Sequence, residues 1–183
     1  DMEKILYVCP STGIGGAETF LKQTFSKADS EQFENHYLLF RKGPLYDYLH
    51  EQGARLHLVE SIPRISKIAD RKRVRKKIRD LINEYNIDLV HSTMSYGAIF
   101  AAKACKQLNV PHVWFQHGPV AGWMDRIASI LPHNGLIVNS HFTSDEQRRL
   151  ENPFRKLVPR NFPIEKILLG TDISAPQENE IRT

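Results

Sequence analysis

Apolar residues in this chain fall into short continuous runs, separated by longer stretches in which they recur every three or four positions. The short runs read as buried strands and the spaced pattern as amphipathic helices. The first run, Ile5-Leu6-Tyr7-Val8-Cys9, stops at Pro10 and gives way to Gly13-Ile14-Gly15-Gly16-Ala17-Glu18. That order predicts a strand, a glycine-rich turn and a helix over 17–27. Further strands are predicted at 36–40, 56–59, 88–92, 112–116, 135–139 and 166–169. Helices are predicted between them at 45–52, stopped by Gly53, and along the basic stretch to Tyr85, where Val74, Ile78, Leu81, Ile82 and Tyr85 share one face. Others are predicted at 96–108, at 123–131 and from Ser140 to about 151, where Ser140, Thr143 and Ser144 supply capping hydroxyls. Regular alternation of this kind predicts an α/β fold, a doubly wound parallel sheet of Rossmann-like type with helices on both faces.

In such a sheet ligands bind beyond the carboxyl ends of the strands. A helix that starts just past a strand end directs its unpaired amides and positive dipole end into that crevice, where an anion such as phosphate is the natural occupant. Glycine there permits positive φ and close approach of a ligand. Gly13-x-Gly15-x-x-Glu18 differs from the dinucleotide fingerprint at its sixth position, where glutamate replaces the small residue that lets helix and strand touch. No Gly-Lys-Ser/Thr follows, so a Walker-type loop is not expected either.

With 183 residues, 41% hydrophobic and 25% charged, the chain has the composition of one large globular domain. No run approaches the ~20 apolar residues of a membrane span. The first residues lead directly into a strand, so no secretory signal is expected. The two cysteines, Cys9 and Cys105, form no CxxC or metal-spaced set, and a reducing cytoplasm is the expected home. The net charge of +4 is uneven: from Arg64 to Arg79 there are nine Lys or Arg against Asp70 alone, so the rest of the chain is net acidic. The basic helix reads as a solvated face. A sharper expectation is that the cations from Arg71 to Arg79 hold the domain against an anionic membrane surface at its inner, cytoplasmic face. Nucleic acid is not expected, because no aromatics interleave with the charges.

Four segments in order carry a family resemblance: Gly15-Gly16-Ala17-Glu18 after the first strand, Gln116-His117-Gly118 after the fifth, Val138-Asn139-Ser140-x-Phe142-Thr143 after the sixth, and Ile164-Glu165-Lys166-Ile167-x-x-Gly170-Thr171-Asp172. Together they resemble the amino-terminal half of the GT-B retaining glycosyltransferases of family 4, over residues 4–172. The resemblance implies an acceptor-side Rossmann-like domain over 1–172 and the start of an interdomain linker over 173–183. The family's donor-gripping Arg and Lys and its paired glutamates are then expected in a carboxy-terminal domain that this chain lacks. It further implies sugar transfer with retention from a nucleotide-sugar donor to a glycan or lipid acceptor, in bacterial cell-surface glycan assembly, with no cofactor and no metal. By position, Gly15 and Gly16 would approach the donor diphosphate and His117 would hydrogen-bond the donor sugar near the reacting carbon. Glu18, Ser140, Trp123 and Met124 are the acceptor-side candidates. Leu169 and Thr171 depart from the usual Asn-Gly-Val-Asp at the junction. The residues leave open a non-catalytic module binding a phosphorylated ligand or peptide, and a GT-B sugar-nucleotide epimerase relative.

Overall fold

A computed structural model describes residues 2–10, 15–28, 30–150 and 163–167. The elements are β1 (Glu3–Cys9), α1 (Gly16–Lys27), β2 (Phe33–Leu39), α2 (Pro44–Glu51), β3 (Arg55–Leu58), α3 (Ile68–Tyr85), β4 (Leu89–Thr93), α4 (Met94–Leu108), β5 (His112–Gln116), α5 (Trp123–Ile130), β6 (Gly135–Val138), α6 (His141–Arg149) and β7 (Ile164–Lys166). The strands form one parallel sheet in the order β3-β2-β1-β4-β5-β6-β7. This is the doubly wound α/β arrangement that the alternation predicts.

Helix ends follow local chemistry. Pro44 opens α2 where its missing N–H costs nothing, and Gly53, at φ 71, turns the chain out of that helix. Asn86 and Asn109 take the left-handed conformation after α3 and α4, letting each helix end one or a few residues before the next strand. Ser140 caps α6 by accepting a hydrogen bond from the Thr143 amide at 3.1 Å.

Side-chain alternation in the central strands feeds two cores. Leu6, Val8, Leu38 and Val90 face α3 and α4, meeting Val74, Ile78, Phe100 and Ala101. Tyr7, Cys9, Tyr37 and Leu39 face the other way, against Leu21, Leu45 and Leu49 of α1 and α2. Farther along, Trp114, Leu136 and Val138 pack with Ala98 and Ala128 of α4 and α5. The helix α4 comes closest to the sheet at Gly97, where a Cβ would lie 3.0 Å from the Val8 carbonyl oxygen and 3.3 Å from Pro10 Cδ.

Most boundaries shift by one to three residues from expectation, β2 the most, since it begins at Phe33 rather than residue 36; two of the shifts have clear physical reasons. The first strand begins at Glu3, before the apolar run, because the Glu3 amide donates to the Gln32 carbonyl and the Lys4 amide to the Asp88 carboxylate. The last strand is Ile164–Lys166, earlier than 166–169, since Ile164 and Lys166 are the residues in register with Leu136 and Val138. Residues 168–169 and the Gly170-Thr171-Asp172 junction lie outside the described residues, as does the linker over 173–183.

Replacing Gly97 with valine forces α4 off the Val8 carbonyl, because the contact is with backbone that cannot rotate away. Gly97→Val is expected to cost about 3 kcal/mol in urea unfolding. An unchanged midpoint would mean that α4 does not approach β1 this closely.

Candidate functional site

Strand β1 and its neighbour β4 are followed by helices that leave on opposite faces of the sheet, so a crevice opens beyond their carboxyl ends. The Thr93 hydroxyl ties the two ends together by donating to the Val8 carbonyl at 3.2 Å. The next residue, Met94, is held at φ 61 with its side chain 40% exposed at this edge. A left-handed methionine is an uncommon, strained conformation, kept only where the surroundings enforce it.

The α1 helix opens toward the same crevice. Gly15, its N-cap, has φ −157, which is extended backbone that any residue adopts, so positive φ is not what glycine supplies here. Its contribution is space: a Cβ on Gly15 would lie 2.8 Å from the Glu18 carboxylate. Among the described residues nothing lies within 4 Å of where a Cβ on Gly16 would stand, which leaves room there for close approach. Glu18 is 6% exposed, with its carboxylate turned back over the start of its own helix.

His117 follows β5 and packs its ring against Phe115, with centroids 4.0 Å apart, and against Phe20 of α1 at 5.5 Å. Both ring nitrogens are buried without a hydrogen-bond partner among the described residues. Burial pushes the imidazole pKa down to about 4, with the Glu18 carboxylate pulling weakly the other way. At neutral pH His117 is therefore an uncharged ring able to donate from one nitrogen and accept at the other. Its loop is pinned from β6, since Asn139 donates from Nδ2 to the His117 carbonyl at 2.8 Å. Beneath it, Gln147 of α6 donates from Nε2 to the side-chain Oε1 of Gln116 and bonds the Ser129 hydroxyl of α5, joining three elements in a buried polar network.

Glycines 15 and 16, Glu18 and His117 thus converge on one crevice. Ser140, Trp123 and Met124 lie along the same strand-end edge, after β5 and β6. Trp123 is 58% exposed, which removes it from the core, and Met124 is half-buried. Ser140 is engaged with Thr143 through both its oxygen and its hydroxyl proton. Asn139 and the exposed Phe142 belong to this edge as well. Asn139 was visible within a family segment, but its role as a strut is a tertiary contact. His91, one strand over, is buried with its Nδ1 unpartnered and its pKa lowered to about 4, by burial first and His117 second. His112 is held by the Ser92 hydroxyl at 2.8 Å and serves the core. Cys9 is buried with its thiol pKa pushed up, chiefly by desolvation, so it is not a nucleophile. Among the described residues no cluster of three His, Cys, Asp or Glu could hold a metal, and no helix is long and apolar enough to cross a membrane.

An open helix end, an uncharged imidazole with two unmet hydrogen bonds and a nearby carboxylate together suit a polyhydroxylated, phosphorylated ligand. The family model for Glycosyltransferase Family 4 matches residues 14–160, and the chain belongs to that family. No curated protein matches the sequence. Solved structures share its fold. Anabaena Alr3699/HepE in complex with UDP and glucose is 17% identical with a TM-score of 0.70, covering 95% of this chain and 47% of that one. A glycosyltransferase from Rickettsia africae ESF-5 is 19% identical with a TM-score of 0.68, over 93% and 44%. A UDP-N-acetylglucosamine 2-epimerase is 8% identical with a TM-score of 0.61, over 84% and 46%. The chain spans less than half the length of each of these structures.

Burial lowers the pKa of His57, His91 and His117 to about 4 and of His112 to about 3. Each binds a proton more readily when unfolded, so stability is full above about pH 6.5 and declines as pH falls toward 4. Urea midpoints measured across this range should fall with acidification. In NMR titration the His117 imidazole should show no protonation step near 6.5; a normal step there would place it in solvent.

Proposed function

We propose that this chain is the amino-terminal, acceptor-side part of a glycosyltransferase that moves a sugar, with retention, from a nucleotide-sugar donor to a glycan or lipid acceptor. The observation that supports this most is His117, a buried neutral imidazole whose two ring nitrogens have no hydrogen-bond partner among the described residues, at the strand-end crevice of a chain that belongs to Glycosyltransferase Family 4. UDP or UDP-glucose bound to Alr3699/HepE supports a nucleotide-sugar as the donor class.

In this reading the donor diphosphate approaches the α1 amino terminus at Gly15 and Gly16, where unpaired amides offset the charge that develops as the bond to the sugar breaks. His117 holds a sugar hydroxyl or the ring face near the reacting carbon, and its neutral form suits that contact better than an imidazolium would. Glu18 orders an acceptor hydroxyl at the mouth of the crevice. Trp123 and Met124 present apolar surface to the acceptor, and Ser140 contributes mainly by fixing the α6 start. No metal is needed, since backbone amides and basic side chains supply the stabilisation. The remaining donor contacts come from a second domain of the kind implied by the relatives' greater length. This chain alone is proposed to be inactive, because transfer requires donor and acceptor to be positioned between two surfaces.

Likeness to UDP-N-acetylglucosamine 2-epimerases supports a second reading, sugar-nucleotide epimerisation at the same crevice. The two separate cleanly: transfer consumes an acceptor and releases nucleoside diphosphate, whereas epimerisation needs no acceptor.

In the full-length enzyme, His117→Ala should lower kcat/KM about 100-fold, in the range seen when a transition-state hydrogen bond is lost. Gly16→Val should abolish the thermal stabilisation given by the preferred nucleotide-sugar, which free ligand well above its Kd should otherwise provide. If both variants keep wild-type thermal shifts and turnover, the donor binds elsewhere.

A further inference from the structure

Between β5 and α5 the chain makes a short loop, from His117 to Gly122, and side chains of three neighbouring elements hold it at successive points. At its entry Gln147 of α6 bonds the Gln116 side chain, and Asn139 donates to the His117 carbonyl at 2.8 Å. Three residues on, the Val120 amide donates to Oε2 of Glu146, also of α6, at 2.8 Å. At the exit Asp125 of α5 accepts from the Ala121 and Gly122 amides at 2.9 and 3.4 Å.

Glu146 is the middle tether. Without it, no hydrogen bond among the described residues fixes the backbone between the His117 carbonyl and the Ala121 amide. Packing offers little substitute at Gly118, since nothing described lies within 4 Å of where a Cβ would stand. The partner that Glu146 takes is informative. It lines a groove of about 400 Å³ with Arg126 and Arg149, yet forms an ion pair with neither, and its half-buried carboxylate bonds the loop instead. A carboxylate that accepts a backbone amide makes a charge-assisted bond, roughly twice as strong as a neutral one.

We propose that Glu146 is a positioning residue: by fixing Val120 it keeps the His117 imidazole against Phe115 and Phe20, with both ring nitrogens shut off from water until a ligand meets them. That the ligand is a sugar rests on the function proposed above. That Glu146 places the ring rests on the geometry of the loop alone.

The titration of His117 reports where its ring sits, because burial is the main cause of its low pKa. The titratable groups acting on it are Glu18 of α1 and His91 of β4. Releasing the tether lets water reach the ring, and the pKa rises. Loss of the Glu146 charge acting through space would lower it, so the sign separates the two effects.

The test is NMR titration of the imidazoles in the full chain, together with amide hydrogen exchange at Val120. In Glu146→Ala the His117 pKa should rise from about 4 toward 6.5, and exchange at Val120 should quicken at least about tenfold. Glu146→Gln keeps an acceptor oxygen and should hold the ring near 4. Asp145→Ala removes an exposed charge one residue away and should change neither readout. His112, held in the core by Ser92, should stay near 3 in every variant, which marks an intact fold. An unchanged or lowered His117 pKa in Glu146→Ala, an equal rise in Glu146→Gln, or a rise of His112 alongside it would overturn the proposal. Should the titrations behave as expected while His117→Ala leaves turnover of the full-length enzyme intact, the tether stands and the sugar reading falls. Lost turnover with an unmoved titration sinks the tether alone.

Discussion

Everything that positions the crevice depends on the parallel pairing of β1 with β4. Parallel strands can be joined only by a crossover, and crossovers are right-handed, so the direction in which the sheet grows decides the face each helix covers. From β1 to β3 the sheet grows one way, and α1 and α2 cover one face. The chain then returns through α3 to lay β4 beside β1 and grows the other way, with α4 and α5 on the opposite face. The gap between α1 and α4 is a consequence of that reversal. Gly97 keeps the gap narrow on one side by bringing α4 against the Val8 carbonyl, and Thr93 closes its floor.

Within the crevice two electrostatic influences compete over one imidazole. Glu18 favours a charged His117, and burial against Phe115 and Phe20 opposes it. Burial is the larger effect, so the ring is neutral beside a carboxylate. The arrangement is costly, since two buried nitrogens go without partners among the described residues. Such a deficit is what a ligand with hydroxyl groups can relieve, and it ties the affinity of the site to the shape of its apolar walls.

Much of this architecture could be read from the residues because central strands of a parallel sheet are buried on both faces. His112 to Gln116 is such a strand, and its limits are those its apolar run suggests. At the sheet's edge the same reasoning misleads: Ile167 extends the apolar run, yet β7 ends at Lys166. His117 and the Gly15-Gly16 turn could be found from their places after strands, whereas the reason for Gly15, contact with Glu18, depends on a rotamer. Asn139, the Gln116-Gln147-Ser129 network and Gly97 bridge elements far apart in sequence, so a linear pattern holds little signal for them. Helical spacing shows which residues share a flank, but the neighbours packed against it decide which charges are paired.

The two thiols lend the molecule an internal reporter. Cys9 belongs to the core beneath α1 and α2, and Cys105 to the core beneath α3 and α4. Both are buried and free, and desolvation holds both in the unreactive protonated form, with Cys105 pushed up to about 12. Neither can be alkylated until its own helical layer lifts from the sheet. Comparing the two modification rates would show whether the layers open together in one cooperative event or peel away separately, the crevice-bearing side first.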